Sequence, residues 1–315
     1  MKYFKINLIL FFFGLTAFGQ ELEKDQIYLA DPTIFEENGT YYLYGTKGDP
    51  RIDGEGFLVY TSKDLKKWEG PAGVNDGFAL KKGAAFGTKG FWAPQLFKQE
   101  NKYYMAYTAN ENIAIATSDS PLGPFENDGK ALEAPVRQID PFIFFDNGKA
   151  YLYHVRLQDG NRIFVAEMTP DLKSIKPETL KECITAEREW EDTQNVEWPV
   201  AEGPTVFKKQ GLYYMLYSAN DFRNPDYAVG LATSTSSSGP WKKIKNTPII
   251  SRKNTSENGS GHGDLFTGKD GNPYYVFHTH NSNITVHPRK TALIKLNIDS
   301  SGIQIENESF RWLSL

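Results

Sequence analysis

The sequence predicts an all-β protein, a five-bladed β-propeller forming a single domain, and three observations lead there. A short turn-and-strand motif recurs five times. Each copy is preceded by a second matching stretch and, in most cases, followed by a third. No long run carries the 3.6-residue apolar periodicity of a helix. The motif reads NGTYYLYGT (38–46), ENKYYMAYTA (100–109), NGKAYLYHV (147–155), QGLYYMLYSA (210–219) and DGNPYYVFHTH (270–280). Turn residues followed by an aromatic and β-branched run are the signature of a hairpin. Aligned on Tyr41, Tyr103, Ala150, Tyr213 and Tyr274, the copies recur about every 60 residues, with one short interval from Tyr103 to Ala150. A 315-residue chain with 40% hydrophobic residues can bury a core of that size in one domain.

Residues 1–19 form the first element. Lys2 and Lys5 precede an apolar run from Ile6 to Phe18, and Ala17-Phe18-Gly19 has the small-x-small form of a cleavage site. This reads as a signal peptide, cut after about Gly19. The run is short for a membrane span of about 20 residues. The expectation is a secreted or periplasmic protein, free of the membrane after cleavage, with residues 20–315 as the propeller.

The five units follow in order. Their leading stretches read ADPTIF (30–35), WAPQLF (92–97), IDPFIF (139–144), EGPTVF (202–207) and GHGDLF (261–266). Third strands are GFLVYTSKD (56–64), NIAIATSDS (112–120), RIFVAEMTP (162–170) and AVGLATSTS (228–236). Three or four short strands per unit fit a propeller blade. The charged stretch 181–199 reads as an insertion loop between units three and four, one wall of a site. Residues 47–56 and 75–90 are further loops expected to shape it. Cys183 is the only cysteine, so the core must hold the fold without an internal disulfide. With 35 basic against 39 acidic residues and no basic stripe, nucleic acid is excluded as a partner.

In a propeller the first strand of every blade lines the central axis, so equivalent positions converge on one funnel. The residue before the repeated proline is Asp31, Ala93, Asp140 and Gly203 in units one to four; in unit five it is His262, with Gly263 in place of proline. Trp92 and Glu202 stand one residue earlier. The register therefore delivers Asp31, Asp140, Glu202, His262 and Trp92 to one mouth. Asp-Pro at a strand start is ordinary turn chemistry for one site; three acids in matched register point to glycoside hydrolysis, which needs one protonated carboxyl and one ionised carboxylate. A third acid then serves to tune the pKa of the first.

ADPTIF, WAP, IDPFIF, AEGPTVF and GHG, in this order and over nearly the whole mature chain, resemble glycoside hydrolase family 43. The resemblance implies a five-bladed propeller that cleaves arabinose- or xylose-containing oligo- and polysaccharides with inversion. By the same match, Asp31 is the general base, Glu202 the general acid, and Asp140 the residue that raises and orients Glu202. Trp92 is a stacking platform, and Arg289, in VHPRKTALIKL, matches a substrate-contacting arginine. His262 matches a histidine beside the axial cavity, often near a bound calcium or a water cluster. It is a candidate for substrate contact and for a water-bridged structural calcium, with no cofactor required. Gln95 departs from the acid that many relatives carry after WAP. Chain size and the resemblance imply an exo-acting α-L-arabinofuranosidase or β-xylosidase; an endo-arabinanase-like enzyme and a non-catalytic carbohydrate-binding propeller are the alternatives. A retaining fructan-acting propeller is disfavoured, because Ala30-Asp31-Pro32 and Ile139-Asp140-Pro141 stand where that group has Asn-Asp-Pro and Arg-Asp-Pro.

Overall fold

Alternating aromatic and aliphatic residues on both sides of each turn fold every repeat into an antiparallel meander, and five meanders ring one axis. The computed structural model describes residues 22–244, 246–299 and 302–315; the signal-peptide reading of 1–19 lies outside the described residues. Blade 1 comprises Leu29–Glu37, Thr40–Lys47, Tyr60–Ser62 and Trp68–Glu69. Blade 2 comprises Trp92–Gln99, Lys102–Ala109 and Asn112–Ser118. Blade 3 runs Gln138–Asp146, Lys149–Leu157, Asn161–Glu167 and Lys181–Ile184; blade 4 runs Ala201–Lys209, Leu212–Ala219, Ala228–Ser234 and Lys242–Lys243. Blade 5 is Gly261–Thr267, Pro273–Thr279, Lys290–Asp299 and Gly302–Trp312. The short interval in the repeat has a simple cause: blade 2 has three strands, and a single bridge between Thr117 and Glu126 stands where a fourth would pair.

Two sequence expectations shift. The stretch 181–199 is not wholly an insertion, since Lys181–Ile184 is the outer strand of blade 3 and only the remainder crosses toward the axis. That crossing is pinned by Glu191, fully buried, which accepts from the Tyr217 hydroxyl (2.6 Å), Lys243 Nζ (2.5 Å) and the backbone N–H groups of Glu187 and Arg188. In blade 5, Asp264 pairs with Val276 where Thr33 pairs with Tyr44 in blade 1. Pro273, not Tyr274, is therefore the counterpart of Tyr41 in the repeat, because the blade 5 turn is one residue longer.

Apolar side chains fill the spaces between blades. Tyr44, Phe57, Met105 and Tyr107 lie in one buried cluster; Tyr153, Val155, Met215 and Tyr217 lie in another. Each such side chain contributes about 1.5–3 kcal/mol on burial. The ring is closed without a covalent link. Ile27 N–H donates to Leu313 O (3.1 Å), Leu315 N–H to Asp25 O (2.8 Å), and the Gln26 amide to the carbonyls of Ile27 and Leu313.

Every inner strand breaks register at the same place, and there one residue turns left-handed: Asp31 (φ 47°), Ala93 (45°), Asp140 (53°), Gly203 (58°) and His262 (43°). Such a bulge re-aims the side chain and frees the local N–H from the ladder. Four of the freed N–H groups are accepted by a side chain on the second strand of the preceding blade. Ala93 bonds Thr46 Oγ1 (2.9 Å), Asp140 bonds Thr108 Oγ1 (2.9 Å), His262 bonds Ser218 Oγ (2.8 Å) and Asp31 bonds His278 Nδ1 (3.1 Å).

Candidate active site

The five bulges bring the expected residues to the rim and floor of one cavity of about 470 Å³, within the usual range for a ligand pocket. Asp31, Trp92, Asp140, Glu202, His262 and Arg289 all line it. Trp92 is 37% exposed, as a platform rather than a core residue should be.

Asp31 sits in a cationic and donor-rich corner. Its Oδ1 is 3.1 Å from Arg289 Nη1, 3.3 Å from His278 Nδ1 and 3.4 Å from His262 Nδ1, while Oδ2 accepts the Thr46 hydroxyl at 2.6 Å. Burial alone would raise its pKa, but Arg289 above all, then His262, hold the carboxyl well below the usual range. Burial also lowers both imidazoles, His278 to about 3, so His278 is neutral. Arg289 is itself stacked over Phe222, its guanidinium carbon 4.5 Å from the ring centre.

Glu202 and Asp140 behave in the opposite way. Burial, with the charges of Asp31 and Asp221, pushes Glu202 up to about 7, against the hydrogen bonds from Tyr227 (2.8 Å to Oε1) and Asn161 (2.9 Å to Oε2). Burial, with Glu202 and Asp31, raises Asp140 well above the carboxylate range, opposed by the Gly203 N–H at 3.2 Å and by Arg289. Oxygens of Asp140 and Glu202 and a His262 nitrogen lie within 4.8 Å of one another. Two buried carboxyls so close do not both ionise readily, so the pair retains a proton near neutral pH. The cavity thus faces one group able to accept a proton and one able to give it.

The neighbours of these residues were less legible. Tyr227 and Asn161, which hold Glu202, lie outside the repeated register, and Trp198 Nε1 in turn donates to Asn161 Oδ1 (2.8 Å). Asp221, Phe222 and His287 form a wall that the loop reading missed. Lys47 and Gly48 come from the 47–56 loop and Trp198 from 181–199, as expected, but none of the funnel-lining residues comes from 75–90. Part of that stretch, Phe78–Lys81, instead pairs with Gly56–Leu58. Thr46, by contrast, had a readable signal, since the aligned hairpins carry Thr46, Thr108 and Ser218 in one column. Gln95 lies beneath the site and binds both backbone groups of Ile143 (2.6 and 3.2 Å), joining blades 2 and 3. His280 bonds the Phe222 carbonyl at 2.8 Å, while the His278 nitrogens face Asp31 and Arg289.

Asp140, Glu202 and His262 together do not fit a directly bound calcium. They offer two carboxylates and an imidazole where calcium takes six to eight oxygens. Asp140 Oδ2 and both oxygens of Glu202 already accept hydrogen bonds from Gly203, Tyr227 and Asn161.

Comparison with known proteins agrees with this geometry. The family model described as glycosyl hydrolases family 43 matches residues 26–303. A solved endo-1,4-β-xylanase from Bacteroides thetaiotaomicron is similar at 41% identity and TM-score 0.85, covering 92% of this chain and 97% of its own. Xylosidase/arabinosidase 43A of Humicola insolens is 28% identical over 241 residues, 62% of this chain and 73% of that protein. The β-D-galactofuranosidase xynD of Aspergillus niger is 25% identical over 292 residues, 84% of this chain and 78% of that protein.

Proposed function

We propose that this chain, which belongs to family 43 of the glycosyl hydrolases, is an exo-acting α-L-arabinofuranosidase or β-xylosidase that releases terminal sugars from arabinose- or xylose-containing glycans. The observation that carries this is the electrostatic split across one cavity: Asp31 held ionised, Glu202 held proton-bearing. In the reaction, Asp31 takes a proton from a water positioned behind the anomeric carbon, and that oxygen forms the new bond. Glu202 gives its proton to the glycosidic oxygen as the bond to the leaving sugar breaks, and solvent restores both groups. The water attacks from the face opposite the leaving group, so configuration inverts, a route that requires about 6.5–9.5 Å between the two carboxyls. Asp140, beside Glu202, keeps a proton on the acid; Trp92 stacks on a sugar ring; Arg289 and His262 orient Asp31 and contact the sugar. Residues 1–19 direct the protein out of the cytoplasm.

The choice of sugars rests on those relatives whose names give xylosidase, arabinosidase and endo-xylanase activities, beside one named as a β-D-galactofuranosidase. Terminal action rests on the pocket form of the funnel, with Asp221, Phe222, His287 and Arg289 among the residues that line it. A second reading, endo-action, is favoured by one feature. A second cavity of about 490 Å³ shares Trp92, Ile139, Asn161 and Trp198 with the first, room for further sugars beside it.

The test is hydrolysis of 4-nitrophenyl α-L-arabinofuranoside and β-D-xyloside by wild type, Asp31→Asn and Glu202→Gln, beside product lengths from linear arabinan and xylan. General acid and base each supply about 10²–10⁴-fold, so each variant should lose at least a hundredfold in turnover. Single-sugar release fits exo-action, oligosaccharide ladders fit endo-action, and sugar binding without turnover in wild type would overturn the enzymatic roles.

A further inference from the structure

One position breaks the five-fold pattern of hydrogen bonds at the bulges. The paired residues Tyr44, Ala106, Tyr153, Leu216 and Val276 are equivalent, so two residues further on the column reads Thr46, Thr108, Val155, Ser218 and His278. Four of these accept the N–H of the left-handed residue in the next blade. Val155, fully buried in an apolar cluster with Ala201, cannot. The N–H it leaves free belongs to Gly203, and that group donates instead to Asp140 Oδ2 at 3.2 Å. Among the described residues this is the one hydrogen bond that the Asp140 carboxylate accepts.

Asp31 shows the alternative. Its own blade carries Thr46 in the same column, and that hydroxyl both donates to Asp31 Oδ2 (2.6 Å) and accepts the Ala93 N–H (2.9 Å). A hydroxyl at 155 would do the same: satisfy Gly203 and draw Asp140 back over its own blade. With valine there, Asp140 reaches across the blade boundary to the strand on which Glu202 stands, one residue before Gly203.

We infer that Val155 is a positioning residue for the acid pair: by offering no hydrogen bond, it leaves the Gly203 N–H to draw Asp140 toward Glu202. The inference rests on the acid roles proposed above. The charged or titratable groups facing Asp140 are Glu202, Asp31, Arg289, Tyr227 and His262, whose Nδ1 is 3.8 Å from Oδ2.

The test is Val155→Thr, close to valine in shape, compared with wild type and Val155→Ala. Moving Asp140 from Glu202 weakens its hold on the acid's proton, so the alkaline limb of kcat/KM should fall by about one pH unit. kcat on a disaccharide should drop about tenfold, with KM little changed, while a 2,4-dinitrophenyl glycoside, which leaves without a proton, stays within about twofold. Val155→Ala should keep the wild-type profile despite a cavity that lowers stability. Val155→Ser carries the same hydroxyl if the threonine variant does not fold. A threonine or serine variant with the limb and leaving-group ratio of the alanine variant overturns the inference. If Asp140→Asn also leaves the limb unmoved, the fault lies in the proposed acid pair rather than in Val155 alone.

Discussion

Replacing Arg289 by methionine removes the cation beside Asp31 while keeping much of the side chain's bulk. The two groups are 3.1 Å apart, with side chains 11% and 8% exposed. At an effective dielectric of about 20, Coulomb's law gives roughly 5 kcal/mol at this separation, an upper figure near 4 pKa units. His262, His278 and the Thr46 hydroxyl remain, so the expected rise in Asp31 is about 1–3 units, the usual effect of one close opposite charge. Arg289 also lowers Asp140, so both carboxyls move the same way. The acid limb of kcat/KM should therefore move up by about 1–3 pH units, measured from about pH 4 to 8 by quenching 4-nitrophenyl glycoside reactions into base. Arg289→Lys, which retains a charge, should recover much of the limb. The sign for stability follows. A depressed carboxylate stabilises the fold above its unfolded pKa of about 4 and loses that contribution as pH falls through the folded value. The methionine variant should thus be most destabilised near neutral pH and approach wild type in acid. A limb within about 0.3 units of wild type would refute the claim that Arg289 keeps Asp31 ionised.

Asp140→Asn takes the second ionisable carboxyl out of the pair, so Glu202 no longer titrates against it and should lose its proton at lower pH; the alkaline limb of the rate profile should shift down by about a unit or more. Thr46→Val orphans the buried Ala93 N–H and removes a donor from Asp31, and should cost about 1–3 kcal/mol in denaturant unfolding as well as activity. Trp198→Ala frees Asn161, and with it Glu202, on the side of the second cavity; KM for oligosaccharides should rise more than KM for aryl glycosides, as read from parallel saturation curves.

The blades and their order were legible because hairpin turns and alternating aromatics are local signals, and five copies corroborate one another. Asp31, Asp140, Glu202, His262 and Trp92 were legible because the repeat makes the axis a readable coordinate. What supports them was not, for a physical reason. Tyr227 and Asn161 reach Glu202 from segments with no repeated register, and Phe222 meets Arg289 across 67 residues of chain through loop packing alone. Val155 stood out in the aligned column beside Thr46, Thr108, Ser218 and Thr279, but nothing local says that these side chains accept the N–H groups of the next blade, or that the longer blade 5 turn puts His278 rather than Thr279 in the column.

The left-handed bulges carry a consequence for anyone seeking a hardier version of this protein. Non-glycine residues pay about 1–2 kcal/mol for that conformation, and Asp31, Asp140 and His262 all pay it at the centre of the funnel. Glycine would relieve the backbone at each, as it already does at 203. A screen that rewards heat resistance alone would therefore be drawn to residues to which the proposed reaction is assigned, and on that proposal its sturdiest clones would include inactive ones.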